Sequence, residues 1–266
     1  MALAALTKRI TRTAAPVIHL TGEAGVGKTT LVASAPNAFL IRTEPGVLDG
    51  IEYDGTDVIT SWTPFEEVMT ALIAETHDYA VVGIDNLTAL VPAIFDQVCR
   101  REGWSSIESP GYGKGYVSAA ENEVARLVRG FAKLAAKGIT VVHLGHVAKV
   151  KVEEPDAPAY TRYESRLHRA VAAPVMEQAD AVLHLATRVQ RRQEEAGFGS
   201  SRTIVSGGTE RVLHCDASAG RVAKNRLSMP AEIVVPKDDP WGAVAPYLAP
   251  PAARPAAKAD KAKAAA

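Results

Sequence analysis

Cysteine is nearly absent. Cys99 and Cys215 are the two in 266 residues, far apart and outside any C-x-x-C pair. That argues against a disulfide-stapled fold and a cysteine zinc site, and it fits a reducing compartment. An excess of one charge is also missing, since 30 Lys+Arg face 30 Asp+Glu. Contact with nucleic acid would therefore need a local patch, not a global field. No apolar run approaches the ~20 residues of a membrane span. Lys8, Arg9 and Arg12 are not followed by the apolar stretch of a secretory signal, so a cytoplasmic protein without a membrane partner is expected. His143 and His146 stand three apart with no further ligand residues nearby, too few for a metal site. What is present is an ordinary globular balance, 47% hydrophobic and 23% charged. The length suits one large α/β domain or two small ones.

Residues 22–29 read Gly-Glu-Ala-Gly-Val-Gly-Lys-Thr, a complete G-x-x-x-x-G-K-[ST] phosphate-binding loop (P-loop). Gly22, Gly25 and Gly27 allow the backbone to curl where a Cβ would obstruct it. The backbone of Glu23, Ala24 and Val26 then turns its amides toward a phosphate, backed by the helix that follows. Lys28 is placed for the β- and γ-phosphates, Thr29 for Mg²⁺, and Thr30 for the first helical turn. The β-rich run Pro16–Leu20 precedes the loop and a short helical run follows it, which is the context the motif requires.

From residue 16 to about 145 strand and helix patterns alternate, which implies a mostly parallel sheet flanked by helices. Strands are expected at 38–44, 79–85 and 139–144. Helices are expected after the capping box Thr63-Pro64-Phe65-Glu66 and over 117–137, the latter stopped by Gly138. Residues 147–178 are charged and weakly periodic. Strands at 181–187, 202–206, 210–215 and 231–235, with Gly207-Gly208 as a turn, are expected to extend the sheet as antiparallel edge strands. The domain boundaries follow: a lead-in over 1–15, one ATPase domain over 16–248, and an Ala/Pro/Lys tail over 249–266 with nothing to bury.

An apolar strand that ends in Asp85 supplies a carboxylate where ligands sit in α/β sheets, so Asp85 joins Thr29 as the candidate Mg²⁺ pair. The next residue is Asn86, which cannot act as a base. Glu44, ending the strand after the P-loop helix, could polarise the attacking water if that strand lies beside the P-loop strand. His146 ends another strand and could sense the γ-phosphate.

These residues resemble the RecA-type ATPase core. The resemblance rests on Lys28-Thr29-Thr30, Glu44, the Val-Val-Gly-Ile-Asp85 strand without a following Glu, and His146, and it covers roughly residues 16–240. Lys224-Asn225-Arg226 is similar to a Lys-Asn-Lys stretch late in that core. In the bacterial recombinase its basic residues reach ATP on a neighbouring subunit. Gly111–Tyr116 resembles a stretch in small phage nucleotide-binding proteins, some of them single-strand annealing proteins. The resemblance implies a RecA-like fold, ATP and Mg²⁺ as cofactors, and catalytic roles for Lys28, Glu44, His146, Lys224 and Arg226. It also implies a homo-oligomeric ring or filament with ATP at subunit interfaces. Single-stranded DNA is an implied partner, and a single-strand-binding protein is another. The recombinase's C-terminal DNA-gathering domain has no counterpart in the sequence, and the recombinase has Gln where His146 stands. Annealing or ATP-dependent single-strand binding is thus better supported than strand exchange.

Two segments could meet DNA. In 105–117, Tyr112, Lys114 and Tyr116 interleave rings and charge with glycines, a mixture suited to single strands. In 147–170, Lys149, Lys151, Arg162 and Arg166 are diluted by Glu153, Glu154 and Asp156. Two other functions stay open, a small-molecule phosphotransferase and a nucleotide-gated replication-loader accessory protein. A partition-type switch is disfavoured because residue 23 is Glu.

Overall fold

In the computed structural model the chain is described over residues 11–46, 49–155, 157–196 and 200–249. The tail after 249 and most of the lead-in lie outside these residues. The sheet begins with β1 (Val17–Gly22), followed by the P-loop and α1 (Lys28–Ala33). Next come β2 (Ala38–Arg42), β3 (Asp54–Gly55), α2 (Trp62–Ala74), β4 (Val81–Asp85) and α3 (Leu87–Glu102). A continuous helical rod follows, α4 (Lys114–Ala119), a π-helical turn (Ala120–Val124) and α5 (Ala125–Ala136). β5 (Thr140–Gly145) leads into a separate two-stranded hairpin, β6 (Val147–Glu154) and β7 (Ala157–Ser165), and then α6 (Arg169–Gln178). The last elements are β8 (Ala181–Ala196), β9 (Ser200–His214), β10 (Lys224–Asn225), β11 (Glu232–Val235) and α7 (Ala245–Leu248).

The main sheet has the order β11-β9-β8-β1-β5-β4-β2-β3, with β10 paired to β8. β1 is parallel to both neighbours, β5 and β8. The strand ending near His146 thus lies between the P-loop strand and the strand ending in Asp85. This is a mostly parallel sheet flanked by helices, with antiparallel strands at one edge. β1 is buried along its length because side chains alternate between two covered faces. Val17 joins the core under α2, α3 and α5, with Trp62, Phe65 and Phe131. Ile18 and Leu20 join the core under α1 and α7, with Val32 and Trp241. Burying each such Leu or Ile stabilises the fold by about 1.5–3 kcal/mol. Among the described residues no helix is long and apolar enough to cross a membrane.

Several expectations are corrected. β8 is internal, parallel to β1 on one side and antiparallel to β9 and β10 on the other, so it is not an edge strand; in the main sheet the antiparallel pairs are β8–β9, β8–β10 and β9–β11. Gly207-Gly208 is no turn. It runs within β9, opposite the register shift between Thr187 and Val189 of β8, and the two strands stay paired out to Ala196 and Ser200. The capping box at 63–66 does not form. The helix begins two residues earlier, with Ser61 in place of Thr63 at its cap position, and the Glu66 carboxylate is drawn to Arg126 at 2.7 Å instead. The described residues of 147–178 form a hairpin and a helix. Helix α3 was not foreseen, although Asn86 caps its start and Gly103, at φ 70°, ends it.

Candidate nucleotide site

The P-loop leaves β1 at Gly22 for two separate reasons of shape. Gly25 and Gly27 have φ of 74° and 99°, which L side chains rarely adopt. Gly22 has ordinary φ but lies so close to β8 that a Cβ would come 2.5 Å from the Leu185 carbonyl oxygen. The glycines thus act in two ways, by left-handed backbone and by close packing. Lys28 folds back under the loop, its Nζ donating to Gly22 O at 3.0 Å and Glu23 O at 2.9 Å. Burial lowers its pKa, and Asp85 and Glu44 oppose that shift. The ammonium is therefore held beneath the loop, next to where phosphates would lie.

Thr29 Oγ1 donates to Asp85 Oδ2 at 2.7 Å. Burial raises the Asp85 pKa; the Thr29 hydroxyl opposes this and nearby Glu44 reinforces it. A buried carboxylate and a hydroxyl in contact make an all-oxygen pair suited to a hard divalent cation. The residues present fit Mg²⁺, which Thr29 and Asp85 would hold. Asp85 has no capping duty, because Asn86 does that work. Its Oδ1 accepts from Ala89 N at 2.8 Å, at the start of α3.

Asn86 also reaches the end of β5. With its oxygen committed to the cap, its Nδ2 faces His146 Nε2 at 3.1 Å. An amide N–H₂ only donates, so this contact makes Nε2 the acceptor and puts the ring proton on Nδ1. Glu44 Oε2 lies 3.5 Å from the same Nε2. A proton on Nε2 would favour Glu44 and repel Asn86, so the imidazole has two competing partners. The His146 backbone N–H donates to Thr88 Oγ1 at 3.1 Å, tying β5 to α3.

Glu44 is here corrected in its placement. β2 does not flank the P-loop strand; it pairs with β4 and β3. Glu44 still joins the cluster, because Asp85 and His146 end neighbouring strands and both Lys28 and Asp85 feel its charge.

Lys224 and Arg226 are not part of this cluster. Lys224 pairs with Val182 on β8, three residues before the Leu185 that packs on Gly22. Its Nζ donates to Met176 O at 3.1 Å and Glu177 O at 2.7 Å, capping the C-terminal end of α6. Arg226 is exposed at the same end of the strands.

The candidate DNA residues fall into two groups. Lys149 pairs with Glu23 of the P-loop at 3.3 Å and lies over the Tyr163 ring. Lys151 pairs with Glu153 and Arg162 with Glu164, each at 2.5 Å. By contrast, Tyr112 stands fully in solvent, in the middle of three successive left-handed residues, Gly111, Tyr112 and Gly113. Lys114 and Arg166 are exposed. Tyr116 is not free to stack on a base along its whole face. Its ring stacks on His168 with centroids 4.2 Å apart, and its hydroxyl donates to Glu108 at 3.0 Å. That stack joins the 111–116 turn to the exit of the hairpin.

On the other side of β1, Arg211 of β9 presses on the P-loop at Gly27. Nothing in the sequence singled it out, since its meaning depends on the β8–β9 pairing. Beside it a cleft of about 580 Å³ opens between the P-loop and β8–β9, lined in part by His184, His214 and Arg221.

A family model described as an AAA domain matches residues 14–227. No curated protein matches the chain. Among solved structures, the flagellar accessory protein FlaH from Methanocaldococcus jannaschii is similar at 13% identity, over 86% of this chain and 88% of that chain, with a TM-score of 0.41. The family model spans the P-loop, the Thr29–Asp85 pair and the strands that carry Glu44 and His146, and the chain belongs to the AAA-domain family of P-loop ATPases.

Proposed function

We propose that the protein hydrolyses ATP and couples hydrolysis to single-stranded DNA, as a RecA-like annealing or single-strand-binding ATPase of phage type. The observation that carries the hydrolytic half is the convergence of Glu44, Asp85, Asn86 and His146 at adjoining strand ends. Glu44 accepts a proton from water as its oxygen attacks the γ-phosphorus, and the bond to ADP breaks. Lys28 stabilises the charge that develops on the phosphate oxygens. Mg²⁺, when bound, supplies further charge neutralisation there. His146, poised between Asn86 and Glu44, reports the presence of the γ-phosphate to the hairpin that begins at the next residue.

The DNA half is supported by Tyr112, Lys114 and Arg166, which combine an outward ring with cations that lack a carboxylate partner among the described residues. The Tyr116–His168 stack brings their two segments together. Lys149, Lys151 and Arg162 contribute less charge, being paired with carboxylates. Lys224 and Arg226 lie away from their own P-loop, which suits residues that act on ATP of a neighbouring copy in a ring or filament.

The test is ATP turnover with and without single-stranded DNA, with the same samples imaged for assemblies. Stimulation with rings or filaments supports the reading. Turnover indifferent to DNA contradicts the DNA half, and phosphate transfer to a nucleoside without DNA would favour a phosphotransferase.

A further inference from the structure

We propose that Arg211 binds the nucleoside-proximal phosphate of the nucleotide in cis, an inference that rests on the ATP-binding reading above. Arg211 lies in β9, paired with Thr187 of β8 on one side and Val235 of β11 on the other. This pairing aims its side chain at the P-loop. A Cβ built on Gly27 would fall 2.4 Å from Arg211 Nη1, so the guanidinium lies directly against the residue that precedes Lys28. Nη2 donates to Pro236 O at 3.1 Å, which anchors the group. Nε is buried and has no hydrogen-bond partner among the described residues. No carboxylate pairs with Arg211 among the described residues, whereas nearby Arg188 meets both Glu210 and Glu232.

A held guanidinium with unspent donors, fixed at a phosphate loop, is an anion site in waiting. Its planar fork matches phosphate oxygens. The sheet order indicates which phosphate. The groups that would act on the γ-phosphate end β4, β2 and β5, all on one side of β1, while β9 lies on the other side, beyond β8. A nucleotide whose γ end faces Asp85 and Glu44 therefore presents its α end toward Arg211. The ligand class is a nucleoside di- or triphosphate, and the contact is common to both.

The experiment compares ADP and ATP affinity of the full chain for wild type, Arg211→Gln, Arg211→Lys and Lys28→Ala, at low and high salt. Arg211→Gln keeps a donor for Pro236 O and removes the charge, and a melting curve checks that it folds. Both nucleotides should weaken equally, by roughly tenfold or more. The salt dependence of ADP binding should flatten, and Arg211→Lys should recover part of the loss. Unchanged affinity overturns the proposal. So does a loss confined to ATP, which would put Arg211 at the γ end, or a loss with unaltered salt dependence, which would make its role structural. If wild type binds neither nucleotide, or Lys28→Ala binds like wild type, the ATP-binding reading itself has failed, and this proposal falls with it.

Discussion

The two sides of β1 are built from different chemistry. Toward β5, β4 and β2 the strand ends carry Asp85, Glu44, Asn86 and His146, a cluster of acceptors and proton carriers. Toward β8 and β9 the same level carries Arg211, Arg221, His184 and His214 around a cleft that Glu23 and Glu232 also line, with Glu232 paired to His214 at 3.1 Å. On the proposed reading one side activates water and holds a cation, and the other holds anionic charge at Arg211. A nucleotide laid across the P-loop spans both. The contrast shows how a single loop can separate bond breaking from binding, provided the strand order puts the two kinds of residue on opposite sides.

The sides share a dependence on buried neutral imidazoles. His19 of β1 meets His143 of β5, Nδ1 to Nδ1 at 2.9 Å, and neither is exposed. His184 of β8 meets Thr21 Oγ1 at 3.3 Å. Burial lowers the pKa of His19 and of His184 from 6.5 to about 4, and lowers His143 as well. The unfolded chain therefore binds more protons than the folded one between those values. Stability is full above pH 6.5 and is lost as the pH falls toward 4, by on the order of 3 kcal/mol for a buried group such as His19. Melting temperature against pH should show this fall. His19→Gln should flatten the part due to the β5 side and His184→Gln the part due to the β8 side. A profile level down to pH 4 in wild type would contradict the burial of both.

Removing the cation between the two sides should be nearly as costly. Lys28→Ala deletes charge-assisted phosphate contacts worth roughly 1.5–3 kcal/mol, or about 10- to 150-fold in ATP affinity by titration. The DNA surface offers a smaller and more graded effect. Lys114→Ala and Arg166→Ala should each reduce the salt slope of single-stranded DNA binding by about one, whereas Lys151→Ala, already neutralised by Glu153, should change it little. Equal effects from all three would erase the distinction between free and paired cations. The smallest effect is expected at Lys224. Lys224→Ala removes the cap on α6 and should lower stability by about 0.5–1 kcal/mol in denaturant. A fall in turnover larger than that loss explains, restored by mixing with Glu44→Gln subunits, would mark its action on a neighbour.

The β5 side was largely legible in the sequence, and the β8 side was not. The P-loop has fixed local spacing, and Asp85 ends an apolar run that only a buried strand explains. Glu44 is legible from its place after an apolar strand, but the neighbour of that strand is not, because β5 and β4 both lie between β1 and β2. Arg211 was invisible for a physical reason. Its role arises from a long-range pairing, and Gly207-Gly208 read locally as a turn that would have broken the strand carrying it. The strand after α6 read as an edge because its later half is polar, whereas its first residues, Ala181–Leu185, are buried beside β1. Lys149 stands in sequence near Glu153, Glu154 and Asp156, but its partner is Glu23, 126 positions away and beyond the reach of any local pattern.

The division between the two sides can be tested in a single assay, ATP turnover at saturating ATP for Glu44→Gln and Arg211→Gln beside wild type. The account predicts a fall of roughly 10²- to 10⁴-fold for Glu44→Gln and a rate near wild type for Arg211→Gln, whose defect saturation should mask. Wild-type turnover in Glu44→Gln, or the larger loss in Arg211→Gln, would contradict it.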